Sequence, residues 1–247
     1  MVKKLTTQLK QGETLLEYKH RVIDDISSSF CAAKWYNATI WLGSGQTTSC
    51  HHPPAHSIPL EQVNDNPKVI HNTEKKKYER QQMLSGERPD DCQYCWKIED
   101  SSPTAVSDRV FKTVIYTDEE IQAIKNMRND ADVDLKTLEI SFDRTCNFAC
   151  SYCNPSFSST WVNDIKKNGE YLLNSAHDST YKHTHGNSQL YKHGEENPYV
   201  TAFFKWWESD LQYTLKQLRI TGGEPLMSGD TWKLLDWFSE TGTDMEL

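Results

Sequence analysis

Seven cysteines are the residues in this chain that most directly imply chemistry. Three stand in one short stretch, "RTCNFACSYC", where Cys146, Cys150 and Cys153 are spaced C-x3-C-x2-C. Three thiols this close cannot all pair with one another. A structural zinc site wants four protein ligands. An iron–sulfur cubane has four iron corners and normally takes one thiolate for each. Three thiolates on a cubane would leave one iron free to bind something else. The other four, Cys31, Cys50, Cys92 and Cys95, run C-x18-C and then, after a long gap, C-x2-C. Four thiols fit either a closed zinc site or a second cubane with no open corner, and spacing alone does not choose between them. In a reducing compartment clustered thiols bind metal more readily than they form disulfides, and an odd total cannot be paired off within one chain.

Both groups need elements to hold them. Around the first, "LKTLEISFD" (135–143) alternates Leu138, Ile140 and Phe142 with polar residues, which predicts a strand running into the cysteine loop. A helix follows over 157–169, ending on glycine, and then a polar stretch, 170–197, reads as an inserted loop. The pattern predicts a long helix over 198–217, with Pro198 in its first turn, then a strand "LRITGGEPL" (218–226) entering a glycine turn. A third helix spans 231–242, and "DMEL" starts a further strand. Strand, helix, strand, helix and strand start imply parallel strands with helical crossovers, whose following loops gather at one end. Around the second group, helices are predicted over 14–30, 73–87 and 117–130. The aromatic and β-branched "KWYNATIWL" (34–42), the turn 43–46 and "TTSC" predict a hairpin that brings Cys31 and Cys50 to one end.

"CNFACSYC" resembles the C-x3-C-x-aromatic-C signature of radical S-adenosylmethionine (radical SAM) enzymes, and "ITGGEPL" after the next strand resembles that family's glycine-rich motif. The resemblance implies a 4Fe-4S cluster on Cys146, Cys150 and Cys153 whose open iron chelates S-adenosylmethionine. One electron from an external reductant then cleaves the cofactor to methionine and a 5′-deoxyadenosyl radical that abstracts a substrate hydrogen. It further implies that Tyr152 lies near the adenine, and that Gly222, Gly223, Glu224 and Pro225 meet the methionine ammonium. "FCAAKW", the cysteine after the hairpin, and "MLSGERPDDCQYCW" resemble twitch-type auxiliary-cluster segments, which implies a second 4Fe-4S cluster on Cys31, Cys50, Cys92 and Cys95. The expected fold is α/β. A small α+β cysteine-rich auxiliary-cluster domain (1–130) precedes an incomplete radical SAM partial (β/α) barrel of parallel strands (131–247). Two strands and the start of a third fall short of that family's usual six, so the resemblance implies a fragment or a second polypeptide that completes the barrel. The substrate class implied by analogy is a peptide, with a small molecule as the other candidate.

Two readings compete with the enzyme: a zinc-stabilised binding module without catalysis, and an iron–sulfur scaffold or electron carrier. Composition narrows the partners. A net charge of −8 argues against a broad phosphate-binding surface, so general nucleic-acid binding is not expected. No apolar run is long enough to cross a bilayer and "MVKKLTTQLKQGET" is not a secretory signal, so no membrane association and a cytoplasmic location are the expectations. His51 and His52 read as a solvated turn. His183, His185 and His193 fall in the polar insertion, read as a surface loop and part of a lid over residues 172–196.

Overall fold

The chain is described here by a computed structural model covering residues 7–128, 130–171, 190–191, 193–242 and 245–246. Its centre is an open, mixed five-stranded sheet of order β3-β2-β1-β4-β5. The strands are β1 (Asn37–Trp41), β2 (Gln46–Thr48), β3 (His56–Ser57), β4 (Thr137–Ser141) and β5 (Gln217–Thr221). β1 is antiparallel to β2 and parallel to β4, and β4 is parallel to β5. Glu246 forms a further parallel bridge to Gln217, on the outer side of β5, where "DMEL" was expected to start a strand.

Register makes the sheet two-faced. Ile40, Ile140 and Ile220 lie side by side across β1, β4 and β5, as do Thr39, Glu139 and Arg219 one residue earlier. With a side-chain period of two, the even positions share one face and the odd positions the other. The even face is apolar: Ala38, Ile40, Leu138, Ile140 and Leu218 join Phe203, Trp207, Leu234 and Phe238 in the main core. The helices Pro198–Trp206 and Gly229–Thr241 and the π-turn Trp207–Leu211 supply those partners. Each such side chain, once buried, stabilises the fold by roughly 1.5–3 kcal/mol. On the odd face Asn37, Thr39, Trp41, Glu139, Gln217 and Arg219 line a polar cleft of ≈ 190 Å³, together with Cys50, His51 and Lys112.

A second core gathers Tyr18, Phe30, Trp35, Met83, Trp96, Val110 and Tyr116, together with Cys31, Cys92 and Cys95. The sequence reading puts the hairpin β1–β2 with this cysteine-rich part, before residue 130. In the structure that hairpin forms, and β1 also pairs with β4 on its other side, so that Ala38, Ile40 and Leu42 belong to the main core. Pairing β1 with β4 covers an edge that would otherwise expose unpaired backbone groups.

Local differences have local causes. The strand expected from Lys34 begins at Asn37, because Ala33–Tyr36 forms a helical turn that buries Lys34 against Glu79. The first helix is shorter than 14–30 and runs Leu15–Tyr18, a π-turn Lys19–Ile23 and Asp24–Ile26. It starts on a capping box between Thr14 and Glu17. The helical run from Pro198 also passes through a π-turn, Trp207–Leu211, and stops at Thr214 so that β5 can start at Gln217. Helices at Gln93–Glu99 and Asp108–Thr113 were not predicted. No helix among the described residues is long and apolar enough to cross a membrane.

Candidate metal centres

The three-cysteine loop leaves the C-terminal end of β4, and the turn containing Gly222 to Pro225 leaves the C-terminal end of the adjacent β5. The two meet backbone to backbone. The Glu224 amide donates to the Thr145 carbonyl at 2.8 Å. A Cβ on Gly223 would lie 2.3 Å from the Thr145 carbonyl oxygen and 2.6 Å from that of Arg144. A Cβ on Gly222, whose φ is +131°, would lie 2.7 Å from the Asp143 carbonyl. Both glycines are therefore required by the approach of the cysteine loop itself. Gly223→Ala is expected to cost about 1–3 kcal/mol through overpacking against fixed backbone. Reconstituted protein should lose iron from the three-cysteine loop while keeping metal at the other four thiols, which metal analysis reads directly.

The start of the next helix grips the loop from the other side. Ser159 Oγ accepts from the Cys146 amide at 2.9 Å and, with Thr160 Oγ1, donates to the Cys146 carbonyl. Ser158 caps the helix Ser159–Asn168 and donates to the Phe148 carbonyl at 2.9 Å. Trp161 Nε1 donates to the Cys150 carbonyl at 3.1 Å. The backbone is thus pinned while Cys146, Cys150 and Cys153 stay half-exposed and free of disulfides. Burial first, then the like charges of Cys146 and Cys150, push the Cys153 thiol up, so the three sulfurs sense one another. The Phe148 amide points at Cys146 Sγ at 3.3 Å. Tyr152 is 90% exposed, and the neighbouring Cys150 side chain pushes its hydroxyl up. Glu224 turns back to accept from the Leu226 amide at 3.2 Å, and Pro225 opens the short 3-10 turn that follows.

The other four cysteines, from three separate segments, line one cavity. Cys31 precedes the helical turn Ala33–Tyr36, and Cys50 follows β2. Cys92 ends the 3-10 turn Asp90–Cys92, and Cys95 sits in the helix Gln93–Glu99. None is in a disulfide. Burial, then the charges of the other three sulfurs, pushes the Cys31 thiol up to about 12. Burial raises Cys92 to about 11 and also raises Cys50 and Cys95. Against that, the nearby backbone of Ala33, His52 and Arg109 lowers Cys31, Cys50 and Cys95 in turn. That favours the thiolate, the form that binds metal. Four thiols lining one cavity, with Cys31, Cys92 and Cys95 buried and Cys50 half-buried, are a donor set that fits a metal cluster; no three of these sulfurs lie within 4.8 Å of one another, wider than the ligands of a single ion.

His52 differs from the solvated turn expected for it. Its ring stacks on Tyr94 at 3.7 Å and 14°, and Nε2 is 2.8 Å from Asp108 Oδ2 at the cavity rim. Packing against Tyr94 removes it from water. His51 remains exposed, with Nε2 3.4 Å from the same oxygen, so His51, His52 and Asp108 offer a second compact donor set for a cation. His193 lies at the C-terminal end of β4, where the three-cysteine loop leaves, with Nδ1 3.2 Å from Asp143 Oδ2. His183 and His185 lie outside the described residues, as does most of 172–196.

Sequence reasoning missed the charged residues packed beside the four thiols. Lys34, Lys76, Arg80 and Arg109 are all buried. Lys76 and Arg80 fall in "EKKKYERQQ", which has the composition of a solvated helix face. Only the placement of Lys34 within the otherwise apolar "FCAAKWY" hinted at a buried partner. No family model, curated protein or solved structure matches this chain.

Proposed function

We propose that this protein is a radical SAM enzyme carrying an auxiliary metal centre. The observation that supports it most is the meeting of the C-x3-C-x2-C loop and the GGEP turn at the ends of two adjacent parallel strands, locked by the Glu224–Thr145 hydrogen bond. Loops at that end of a parallel sheet are where α/β proteins bind ligands. Cys146, Cys150 and Cys153 would hold a 4Fe-4S cluster with one open iron, which supplies the electron for reductive cleavage of S-adenosylmethionine.

The remaining tasks fall to the chain. Ser158, Ser159, Thr160 and Trp161 fix the loop's carbonyls, so the three sulfurs keep one arrangement. Tyr152, exposed beside Cys150, offers a flat face for an adenine ring. The carbonyls of the glycine turn and the Glu224 carboxylate are acceptors for an ammonium group. The substrate, a peptide by analogy, would lie against the polar sheet face, where Glu139 and Arg219 face opposite charges on their partner. Cys31, Cys50, Cys92 and Cys95 would hold a second 4Fe-4S cluster, and zinc is the alternative occupant of the same donor set.

Anaerobic protein rebuilt with iron and sulfide tests this reading. About eight irons per chain are expected, with an electron paramagnetic resonance signal of the reduced protein that shifts on adding S-adenosylmethionine. Four irons with no shift would leave an iron–sulfur carrier; zinc alone would leave a binding module.

A further inference from the structure

One group of donor side chains apart from the cysteines closes to the spacing of a single ion. His51 Nε2 lies 3.4 Å and His52 Nε2 2.8 Å from the same oxygen, Asp108 Oδ2, and the two imidazole centroids are 4.0 Å apart. Among the described residues no other three His, Cys, Asp or Glu side chains are this compact. The group stands where two cavities meet. His52 and Asp108 line the four-thiol cavity and His51 lines the polar cleft on the sheet, while Cys50, Pro53 and Lys112 line both.

The surrounding chain holds each donor in place. Thr48, buried at the end of β2, puts its hydroxyl 3.0 Å from the Cys50 carbonyl and 3.3 Å from the Pro53 carbonyl, which brackets the turn carrying both histidines. The His52 ring is stacked on Tyr94 and its side chain is only 13% exposed. Asp108 opens the helix Asp108–Thr113 between two anchored neighbours. Ser107 donates to Glu99 at 2.5 Å, and Arg109 donates to Glu99 at 2.6 Å and to the Phe30 carbonyl at 2.7 Å. A hydrogen bond to Asp108 accounts for His52. It does not account for a second ring brought to the same oxygen, since two imidazolium ions this close would repel. Two neutral imidazoles and a carboxylate are the donors that a divalent transition ion takes.

We propose that His51, His52 and Asp108 bind a divalent transition-metal ion, at a site that uses none of the seven thiols. Imidazole ligands suit zinc, iron, nickel and copper, whereas magnesium and calcium prefer oxygen. Binding exchanges water on the ion for two ring nitrogens and one carboxylate oxygen. Three protein donors leave a four-coordinate ion one position for water or a ligand. The ion ties the turn after β2 to a helix that begins 56 residues further on than His52. Lys112, four residues along that helix from Asp108 and lining both cavities, adds a positive charge that opposes binding.

The test uses the full chain, first rebuilt with iron and sulfide so that the thiols are occupied. Co(II) is then titrated in the presence of excess Mg(II). Calorimetry reads affinity, and X-ray absorption at the cobalt edge reads the ligands. One cobalt per chain is expected, with a shell of nitrogen and oxygen and no sulfur. His51→Ala and Asp108→Asn should each weaken binding by at least about tenfold, and Lys112→Gln should tighten it. The His51 side chain is 63% exposed and that of Asp108 34%, so without cobalt these variants should melt close to the parent. Added Co(II) should then raise the melting temperature of the parent and of Lys112→Gln more than that of the other two. A plain hydrogen-bonded clasp would behave differently: Asp108→Asn would lower the melting temperature without cobalt, and Lys112→Gln would change no affinity. That pattern overturns the proposal. So does an absence of bound cobalt, cobalt held through sulfur, or equal affinity in the parent, His51→Ala and Asp108→Asn.

Discussion

Replacing Cys146, Cys150 and Cys153 together by Ala is expected to remove about four of roughly eight irons per chain and to abolish S-adenosylmethionine cleavage. The fold should barely register the change. The three thiols lie on a half-exposed loop outside both hydrophobic cores. The loop backbone is held by Ser158, Ser159, Thr160 and Trp161 and by the glycine turn, none of which needs the sulfurs. The melting temperature of the metal-loaded variant should therefore stay within a few degrees of the parent, as expected for substitutions away from a core. Activity should fall to background, because an iron with no protein thiolates is not retained. The decisive measurement is iron and sulfide per chain beside cleavage rate. Full iron content in the triple variant would show that these thiols hold no cluster, and undiminished cleavage would remove them from the reaction.

The three-cysteine site was legible because its signals are local. A period-two strand, a tight cysteine spacing and a glycine pair each depend on a few neighbouring residues. The end-of-strand placement then follows from parallel topology, and β4 and β5 do sit side by side with both loops at one end. The role of the glycines was only half visible. Gly222 and Gly223 were expected to admit a ligand, whereas in the structure they first admit the backbone of residues 143–145. The four-thiol cavity joins segments more than sixty residues apart, and spacing alone could name its cysteines but not their surroundings. Lys76 shows why: its neighbours in sequence are charged and its neighbours in space are Thr47, Thr48 and His71. The partner of β1 was hidden for the same reason. Nothing in "NATIW" says that the strand, besides its hairpin with β2, also pairs with a strand a hundred residues later.

Removing metal from the four-thiol site should have the opposite consequence from the triple substitution, a loss of structure with the three-cysteine loop left intact in sequence. Cys31, Cys92 and Cys95 are part of the second core, packed with Trp35, Trp96, Val110 and Tyr116. Cys50 comes from the end of β2, so one centre ties that core to the sheet. Structural metal at such sites supplies about 10–16 kcal/mol of apparent binding free energy, as much as a whole domain's margin of about 5–15 kcal/mol. Chelation, or Cys95→Ala, is therefore expected to unlock amide exchange across 31–36 and 90–113, while β4 and its helices Pro198–Trp206 and Gly229–Thr241 stay protected. The effect has a pH sign. Burial holds Cys31 near 12 and Cys92 near 11, so the metal-free thiols are protonated at neutral pH and each must shed a proton to bind. Metal-derived stability is then present at higher pH and lost as pH falls, with apparent affinity dropping by up to roughly four decades per pH unit when all four protons are taken back. Hydrogen exchange at two pH values, with and without chelator, separates the cases. Protection in 90–113 that ignores both chelator and pH would mean that the second core stands on its own packing and that the thiols are not its metal clasp.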